Sequence, residues 1–302
     1  MNEFKKLLFI INKYSGKGFQ PHVEGRILDA CEKNDVECTI EFTKSRGHAT
    51  ELAKNGIGKY DAIIAVGGDG TVNEVAQGLV DSDQPMGIIP KGSGNGLARH
   101  LQIPLKLSRS VQTLFKSEIQ TMDTFLMNGK LSVNVSGIGF DGHVANLFGK
   151  NKKRGFWGYA KLVIREYVRF KEFDTDFMYS NQAHTFKNNF IVAIANSSQY
   201  GNNARVSPQA SVTDQLLHVA RIKKVAFHRG FRFAFLMFTR KLRDNDLYES
   251  FTLKDGVITT AQPVAYHIDG EPCGTENEFC IVLKPSSLKI LTPLKQNNKS
   301  RI

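Results

Sequence analysis

The sequence predicts an α/β nucleotide-binding domain with a parallel sheet, followed by a mostly antiparallel β domain. Strands and helices alternate over the first 125 residues, whereas from about Thr121 short strand-like runs are separated by Asn, Gly and Asp turns. The chain has 302 residues, about twice the length of a typical domain. Its 41% hydrophobic and 23% charged residues are typical of a globular protein and exclude a disordered or fibrous one.

In the first domain, four predicted strands each run into a predicted helix. Apolar residues recur at helical spacing in the helices, as at Val72, Val75, Ala76 and Leu79. Strands that alternate with helices imply a parallel sheet covered on both faces. The predicted strands are 6–12, 38–43, 61–66 and 86–90, and the predicted helices are those opened by Pro21, 48–55, the one after Gly70, and 93–101.

The second domain is predicted to begin between residues 120 and 128. Two basic segments, Lys150–Lys171 and Arg221–Arg243, are predicted to be helical and interrupt its strands. The predicted strands are Met122–Met127, Leu131–Val135, Phe190–Ala195, Leu216–Ile222, Ala265–Ile268 and Phe279–Lys284.

The positive charge is concentrated in these two basic segments. The whole chain has a formal net charge of +11, and each segment has eight basic residues, with one acid in the first and none in the second. The first segment also holds Trp157, the only tryptophan, and in the second Phe231, Phe235 and Phe238 share one helical face. Basic residues with aromatic neighbours favour docking on an anionic membrane. A solvated basic face above an ordinary core is the alternative, and no nucleic-acid-binding motif is present.

The apolar runs and the cysteines predict a cytoplasmic protein. No purely apolar run exceeds six residues, and a spanning helix needs about 20. The apolar stretch after Lys6 stops too early for a signal peptide. Six residues separate the cysteines of each pair, Cys31 with Cys38 and Cys273 with Cys280, which is wider than zinc-knuckle spacing. We therefore expect reduced thiols.

Three glycine-rich loops are the strongest candidates for chemistry. They are Asn12–Gly18, Gly67–Thr71 and Gly92–Gly96, and each lies between a predicted parallel strand and a helix. Ligands of open α/β sheets bind at the carboxyl ends of the strands. Exposed N–H groups and positive helix termini would face the same crevice, and glycines allow close approach to phosphate oxygens. The three loops together therefore predict a nucleotide-phosphate site.

Asp69 is the only carboxylate in these loops, and beside phosphates it implies Mg²⁺ between the charges. Alternatively, Asp69 caps its own helix. Thr71 and Ser93 are candidates both for helix N-caps and for phosphate donors. Asn95 and Arg99, four residues apart on the predicted helix 93–101, present an amide and a cation, unless Arg99 forms a surface ion pair.

In the second domain the best polar constellation is Tyr266-His267-Ile268-Asp269-Gly270-Glu271, a predicted strand that ends in an acidic turn. Asp269 or Glu271 could accept a proton from an acceptor hydroxyl, although an acidic turn without function has the same pattern.

Other motifs are excluded. Gly137–Gly142 matches G-x-G-x-x-G in letters, but it lies outside a first βα turn, and there is no Walker loop, protein-kinase motif set or G-x-S-x-G.

Taken together, these motifs resemble the diacylglycerol kinase catalytic family, which includes bacterial soluble lipid kinases and sphingosine and ceramide kinases. The resemblance spans nearly the whole chain, although the GGDGT core is shared with NAD kinases and phosphofructokinases. The resemblance is carried by 67–74 (GGDGTVNE), 90–99 (PKGSGNGLAR), Asn12 with Ser15-Gly16, Ile138–Asp141 and Asp269-Gly270-Glu271.

The resemblance implies an ATP-binding domain of residues 1–125, to which 286–302 return, and a β-sandwich acceptor domain of residues 126–285. It places the general base in the acidic turn, where we favour Asp269 over Glu271, and it implicates Asp69 in catalysis. The positions that it assigns to ATP are Asn12, Lys13, Tyr14, Ser15, Gly16, Thr43, Gly67, Gly68, Asp69, Gly70, Thr71, Val72, Asn73, Ser93 and Asn95.

Besides the Mg²⁺ expected at Asp69, the resemblance implies a structural Mg²⁺ at Asp214, Ser211 and Leu216. The structural site departs from the family pattern, because Gln215 stands in place of the usual glycine and His218 in place of the usual acid. A neutral imidazole is a poor Mg²⁺ ligand, so these departures weaken the expectation of a structural metal.

The resulting hypothesis is a Mg²⁺-dependent lipid kinase that transfers the γ-phosphate of ATP to a lipid hydroxyl. The expected partners are a lipid substrate and an anionic membrane surface, with no nucleic acid, and the expected localisation is cytoplasmic and peripheral to the membrane. A soluble NAD-kinase-type phosphotransferase and a non-catalytic lipid-binding relative are the alternatives. The acceptor lipid and the oligomeric state, a homodimer included, stay open.

Overall fold

A computed structural model describes residues 4–16, 22–150, 156–225, 236, 239 and 242–294, with backbone only at 148–150 and 156–162. The chain divides into two compact units, of which the first comprises Met1–Met122 with Ser287–Ile302 and the second Asp123–Ser286. Pro21 and most of the second basic segment, including Phe231, Phe235 and Phe238, lie outside the described residues.

The first unit is built on a parallel sheet in the order β2-β1-β3-β4. The last residues of β14 extend it, with Ile290 paired in parallel with Met86 of β4. The strands are β1 Lys6–Ile11, β2 Glu37–Phe42, β3 Ala62–Gly67 and β4 Met86–Pro90, with β14 spanning Glu271–Pro293, and the helices are α1 His22–Lys33, α2 His48–Gly56, α3 Asp69–Leu79, α4 Gly96–His100 and α5 Leu107–Leu114.

Both faces of this sheet are covered, which explains the continuous apolar runs of its strands. Leu7 and Phe9 of β1 pack in one core with Ile27 of α1 and Leu114 of α5. On the opposite face Gly56 of α2 lies so close to the side chains of Leu8 and Ile63 that an added Cβ would approach them to within 3 Å. The predicted parallel α/β class is confirmed.

The second unit is an antiparallel assembly in the order β12-β11-β10-β7-β13-β14, to which β8 and β9 add a hairpin beside β13. Successive residues of β10 face two separate cores, with Ile194 in one and Ala195 in the other. The elements are β5 Ser117–Met127, β6 Lys130–Ser132, β7 Val135–Gly139, α6 Phe140–Lys150, α7 Phe156–Arg169, β8 Phe173–Tyr179, β9 Gln182–Asn189, β10 Ile191–Ala195, β11 Leu217–Ile222, β12 Tyr248–Leu253 and β13 Asp255–Ile268.

Three predictions about local structure were wrong in detail. The run Leu131–Val135 is two strands rather than one, because the chain turns at residues 133–134 between β6 and β7. The hairpin β8–β9 was missed, since β9 reads QAHTFKNN and has little apolar alternation. The predicted helix 93–101 was placed three residues too early, because α4 begins at Gly96 after a left-handed Asn95.

Within the described part of the chain, no helix combines the length and the apolar character that a membrane crossing requires. All four cysteines are free.

Candidate functional site

The three glycine-rich loops of the first unit meet through direct hydrogen bonds, and we call residues 12–16, 67–71 and 91–96 the glycine-loop cluster. Asn12 Nδ2 donates to Thr71 Oγ1 at 3.2 Å, which joins the first loop to the second. The backbone N–H of Lys91 donates to the carbonyl of Gly67 at 2.7 Å, which joins the second to the third. Lys91 Nζ completes the cluster by donating to the carbonyls of Asn12 and Ser15 at 3.4 and 3.2 Å. Burial lowers the pKa of Lys91 from its ordinary value.

Glycine is required where these loops touch. A Cβ added to Gly92 would lie 2.6 Å from the Cα of Gly68, so neither backbone can approach the other with a side chain between them. Gly16 adopts a φ of +64°, and a Cβ there would lie 1.9 Å from the carbonyl oxygen of Lys91. The glycines that the sequence offered for phosphate approach therefore also allow the loops to pack against one another.

Asp69 joins two of the loops rather than capping its own helix. Its Oδ2 accepts from the backbone N–H of Asn95 at 2.8 Å, and its Oδ1 accepts from that of Gly96 at 2.7 Å. The N-cap of α3 is Gly68, which makes no side-chain cap hydrogen bond. The N-cap residue thus contributes no side chain to the first N–H groups of α3, and N–H groups at helix N-termini are donors that bind phosphate oxygens.

The third loop is folded by Asn95. Its Oδ1 accepts from the Gly92 N–H at 2.9 Å and its Nδ2 donates to the Gly92 carbonyl at 2.7 Å, while its own φ is +52°. This left-handed residue is the N-cap of α4, so the helix begins at Gly96 and the predicted start at Ser93 is wrong. Arg99 Nε donates to the Gly94 carbonyl at 2.9 Å and braces the same loop. Ser93 is exposed, with its hydroxyl outside any helix cap.

The other residues assigned to ATP lie near the same strand ends of the first unit. Thr43 directly follows β2, and its N–H donates to the Ile11 carbonyl at 3.0 Å. Lys13 Nζ lies 3.7 Å from the ring centroid of Phe42, and Tyr14 is exposed.

Three assigned residues at the start of α3 have buried side chains. Thr71 does not cap the helix, since its hydroxyl accepts from Asn12. Val72 and Asn73 are also buried, and Asn73 Oδ1 accepts from Gln77 Nε2 at 2.6 Å. Gly70 lies in the first turn of the same helix.

In the second unit the acidic turn is the tip of a β-hairpin. Asp269 and Gly270 have φ of 49° and 89° and connect Ile268 of β13 to its partner Glu271 of β14. Positive φ at both central residues is the geometry of a type I′ hairpin turn, for which Asp-Gly is a preferred sequence. The turn therefore has a structural reason to contain this dipeptide.

The two acids of this turn are nevertheless in different environments. Asp269 is 7% exposed, and its carboxylate accepts from Ser132 Oγ at 2.6 Å, Val133 N–H at 2.9 Å and Asn134 N–H at 3.0 Å. Glu271 is exposed. A buried acid held by three donors has a fixed position, which an exposed acid does not. This contrast favours Asp269 as the group with a defined chemical role.

A second polar group adjoins the turn. His267 is buried, its Nδ1 accepts from the Gly270 N–H at 3.0 Å, and its Nε2 lies 3.2 Å from Asp141 Oδ2. Tyr200 donates its hydroxyl to the same Asp141 oxygen at 2.7 Å. Burial, and then the Asp141 charge, raise the pKa of Tyr200 well above its usual value, so it remains a donor.

The loop assigned to a structural metal has its carboxylate engaged by protein groups. Asp214 Oδ1 accepts from the Leu216 N–H at 3.1 Å, and Oδ2 lies 3.0 Å from His218 Nε2. Ser211 Oγ lies 3.2 Å from Thr213 Oγ1. Among the residues with described side chains, no group of three or more His, Cys, Asp or Glu could hold a metal ion. A Mg²⁺ at Asp214, Ser211 and Leu216 thus stays an expectation from the resemblance, and the residues present fit it poorly.

Sequence reasoning gave no role to Lys91, Ser132, Asp141, Tyr200 or His267. Lys91, Asp141 and His267 lie within motifs that were recognised, so proximity in sequence could have drawn attention to them. Ser132 is 137 residues from its partner Asp269. No local sequence pattern predicts a contact between residues so far apart in the chain.

The chain is similar to known domains and proteins. The chain matches the diacylglycerol kinase catalytic domain over residues 6–127 and the YegS C-terminal NAD kinase beta sandwich-like domain over residues 134–292. It is 26% identical to an uncharacterized protein, sll0036, of Synechocystis over 95% of this chain and 70% of that protein. It is 27% identical to a diacylglycerol kinase of Bacillus subtilis over 88% of this chain and 90% of that protein.

A crystal structure of a diacylglycerol kinase from Bacillus anthracis shares the fold. The TM-score is 0.76 at 21% identity, over 97% of this chain and 99% of that one. The two domain matches extend from residue 6 to residue 292 with only a short gap between them. The chain therefore belongs to the diacylglycerol kinase catalytic family, with a YegS-type C-terminal domain.

Proposed function

We propose that this protein is a kinase that transfers the γ-phosphate of ATP to a hydroxyl group of a lipid at a membrane surface, with Mg²⁺. The observation that carries the proposal is the glycine-loop cluster, in which three loops of a diacylglycerol kinase catalytic domain meet at the start of α3. The B. subtilis relative, similar over most of both chains, is named a diacylglycerol kinase, which supports a lipid acceptor.

In this proposal the glycine-loop cluster binds the triphosphate. Backbone N–H groups at the start of α3 and the exposed Ser93 hydroxyl are the donors, and Lys91 supplies positive charge. Asp69 accepts two backbone N–H bonds, which fix its position, and a carboxylate is the oxygen ligand that Mg²⁺ prefers. Mg²⁺ would neutralise part of the phosphate charge.

Asp269 is the proposed general base. Phosphoryl transfer needs a group that orients the attacking hydroxyl and accepts its proton, and in kinases this group is a carboxylate. The three donors from Ser132, Val133 and Asn134 match the acceptor-only, ionised form of the Asp269 carboxylate. An ionised carboxylate is the form that can accept a proton.

The first basic segment, Lys150–Lys171, is the proposed membrane-docking surface. On the described part of α7, Ile164 and Val168 are 60% and 73% exposed and lie four residues apart, on one face of the helix. Arg165 and Arg169 next to them are exposed too. Exposed apolar residues flanked by arginines suit the boundary between headgroups and acyl chains of an anionic bilayer. Lys152, Lys153 and Arg154 lie outside the described residues, and Trp157 has no described side chain.

The proposal is tested by incubating the protein with radiolabelled ATP, Mg²⁺ and vesicles of total lipid, with parallel reactions on NAD and an Asp269→Ala variant. We expect label in an organic-extractable product, and loss of that label in the variant. Label in NAD would assign the protein to the soluble phosphotransferases instead. If neither product forms while the protein still binds the vesicles, a non-catalytic lipid-binding role replaces the proposed one.

A further inference from the structure

We propose that Asp141 and His267 form a positioning relay that fixes the Asp269-Gly270 turn, and through it the Asp269 carboxylate. The proposal rests on the function proposed above, since it assigns to Asp269 the proton-accepting role. Neither relay residue is a catalytic residue here, because His267 and Asp141 act on Asp269 through the backbone of the turn.

The hydrogen bond from Gly270 determines which ring nitrogen of His267 carries the proton. The Gly270 backbone N–H can only donate, and it points at His267 Nδ1 over 3.0 Å. Nδ1 must therefore carry a lone pair, and the proton of a neutral ring lies on Nε2. A proton on Nδ1 would place two donors against each other and break the contact with the turn.

Asp141 favours the same tautomer through its contact with the other ring nitrogen, Nε2. Its Oδ2 lies 3.2 Å from His267 Nε2 and also accepts from the Tyr200 hydroxyl, and its Oδ1 accepts from the Gly142 N–H at 2.8 Å. A carboxylate surrounded by donors presents only acceptors to the imidazole, so it binds the Nε2–H form. A carboxylate orients the imidazole of hydrolytic triads by the same physical means.

The His267 ring is linked to Asp269 through the backbone of the turn. The N–H that His267 holds belongs to the peptide bond that directly follows Asp269, so the contact fixes the rotation of this residue about its Cα–C bond. Asp269 adopts the left-handed φ of 49° that the type I′ turn requires. With the backbone fixed there, the carboxylate reaches the donors at residues 132–134.

The relay has space only because residue 137 is glycine. A Cβ at Gly137 would lie 1.9 Å from Asp141 Oδ2 and 2.8 Å from His267 Nε2, directly at their contact. The contact between Asp141 and His267 therefore explains Gly137 of the Gly137–Gly142 run without nucleotide binding.

A pair of amide substitutions tests which ring nitrogen matters. The amide oxygen of Asn can take the place of Nδ1, whereas the longer side chain of Gln extends towards the place of Nε2. We expect His267→Asn to keep the Gly270 contact and kcat within about fivefold, and His267→Gln to lower kcat by about 10²-fold with the KM for ATP unchanged, because misplacing a reactive group costs this much. His184→Gln, in the same unit, is the matched control and should leave kcat and KM as they are. Equal kcat for the two His267 variants would overturn the relay.

Nitrogen-15 NMR of the histidine rings tests the relay without any activity measurement. In the wild type we expect the His267 Nδ1 signal of an unprotonated nitrogen and the Nε2 signal of a protonated one. In Asp141→Asn the amide oxygen is held by the Gly142 N–H, so the NH₂ group faces Nε2 and the ring proton should move to Nδ1. A wild-type ring protonated on Nδ1 contradicts the proposal.

The two measurements separate the two levels of inference. If the protein phosphorylates no lipid but shows the expected tautomer and its reversal in Asp141→Asn, the relay geometry stands and the assigned base role fails. If it phosphorylates a lipid while His267 is protonated on Nδ1, the proposed relay is wrong and the kinase function stands.

Discussion

The carboxylates of Asp69 and Asp269, one in each unit, are held in the same manner and placed by different means. Each accepts hydrogen bonds from two consecutive backbone N–H groups of another segment, Asn95 and Gly96 for the first and Val133 and Asn134 for the second. Asp69 reaches its partners because glycine backbones pack in direct contact beside it. Asp269 reaches its partners from the tip of a hairpin that a buried histidine holds.

This difference separates two ways of fixing a carboxylate. In the first unit, small residues remove steric obstacles, and the required sequence is local and recognisable. In the second unit, polar groups distant in sequence impose the position, and no local motif contains them. The predictions below test this contrast, from the largest expected effect to the smallest.

Asp269→Asn should have the largest effect. The substitution removes the proposed proton acceptor, so kcat for lipid phosphorylation should fall by about 10²- to 10⁴-fold, the usual contribution of a general base. ATP binding, followed by calorimetry, should be retained. Glu271→Gln is the matched change on an exposed acid and should cost less than about tenfold. A larger loss for Glu271→Gln than for Asp269→Asn would reverse the assignment.

Removing the basic and aromatic groups of Lys152, Lys153, Arg154 and Trp157 together should weaken binding to anionic vesicles. Each basic residue near the bilayer contributes about 1 kcal/mol, so loss of three predicts about a 10²-fold weaker association in flotation assays. Soluble ATP binding should be unchanged, since the glycine-loop cluster belongs to the other unit. Vesicle binding equal to that of the wild type would remove this segment from the docking surface.

Gly92→Ala should disrupt the cluster in the first unit. The new Cβ would lie 2.6 Å from Gly68 Cα, so the loops must separate, at a cost of about 1–3 kcal/mol in unfolding free energy and with weaker ATP binding. Gly25→Ala in α1, where no atom lies within 4 Å of the added carbon, is the control. There we expect unchanged ATP binding and about 1 kcal/mol of added stability from helix propensity. Similar losses in both variants would show that loop contact is not what glycine provides.

Thr71→Val should have the smallest effect. It removes the hydroxyl that accepts from Asn12 Nδ2 in a buried position, and we expect a loss of about 1 kcal/mol in urea unfolding. Thr113→Val in α5 removes an exposed hydroxyl bonded to the Arg109 carbonyl and should cost less. A cost for Thr71→Val no larger than that for Thr113→Val would mean that this bond does not hold the first two loops together.

The fold class was predictable because its signals are local. Buried β3 and the helix α3 after it follow directly from the run AIIAV and the apolar spacing of Val72, Val75 and Leu79. The start of α4 was not predictable, because the left-handed conformation of Asn95 depends on its own amide closing on Gly92. The β8–β9 hairpin lacked a pattern, since its exposed strand carries mostly polar residues.

The candidate site divides in the same way. The glycines and Asp69 were identified because the residues of each loop and of the helix after it are consecutive in the sequence. Ser132 and Asp141 received no role because their contacts, with Asp269 and His267, cross more than 120 residues of sequence. His267 lies in the polar run that ends in the acidic turn, but its contact with the Gly270 N–H becomes visible only in the folded hairpin. The acidic turn was recognised, but the choice between Asp269 and Glu271 needed burial and hydrogen-bond partners.

The most direct test of the central claim is transfer of radiolabel from the γ-phosphate of ATP into the organic phase by the wild type and by Asp269→Asn, on identical anionic vesicles that contain diacylglycerol or a sphingoid base. We predict that the wild type labels at least one of these lipids, while the variant binds ATP as the wild type does and labels none at a comparable rate. Equal labelling by the two proteins would contradict Asp269 as the base, and labelling of NAD rather than of any lipid would contradict a lipid kinase.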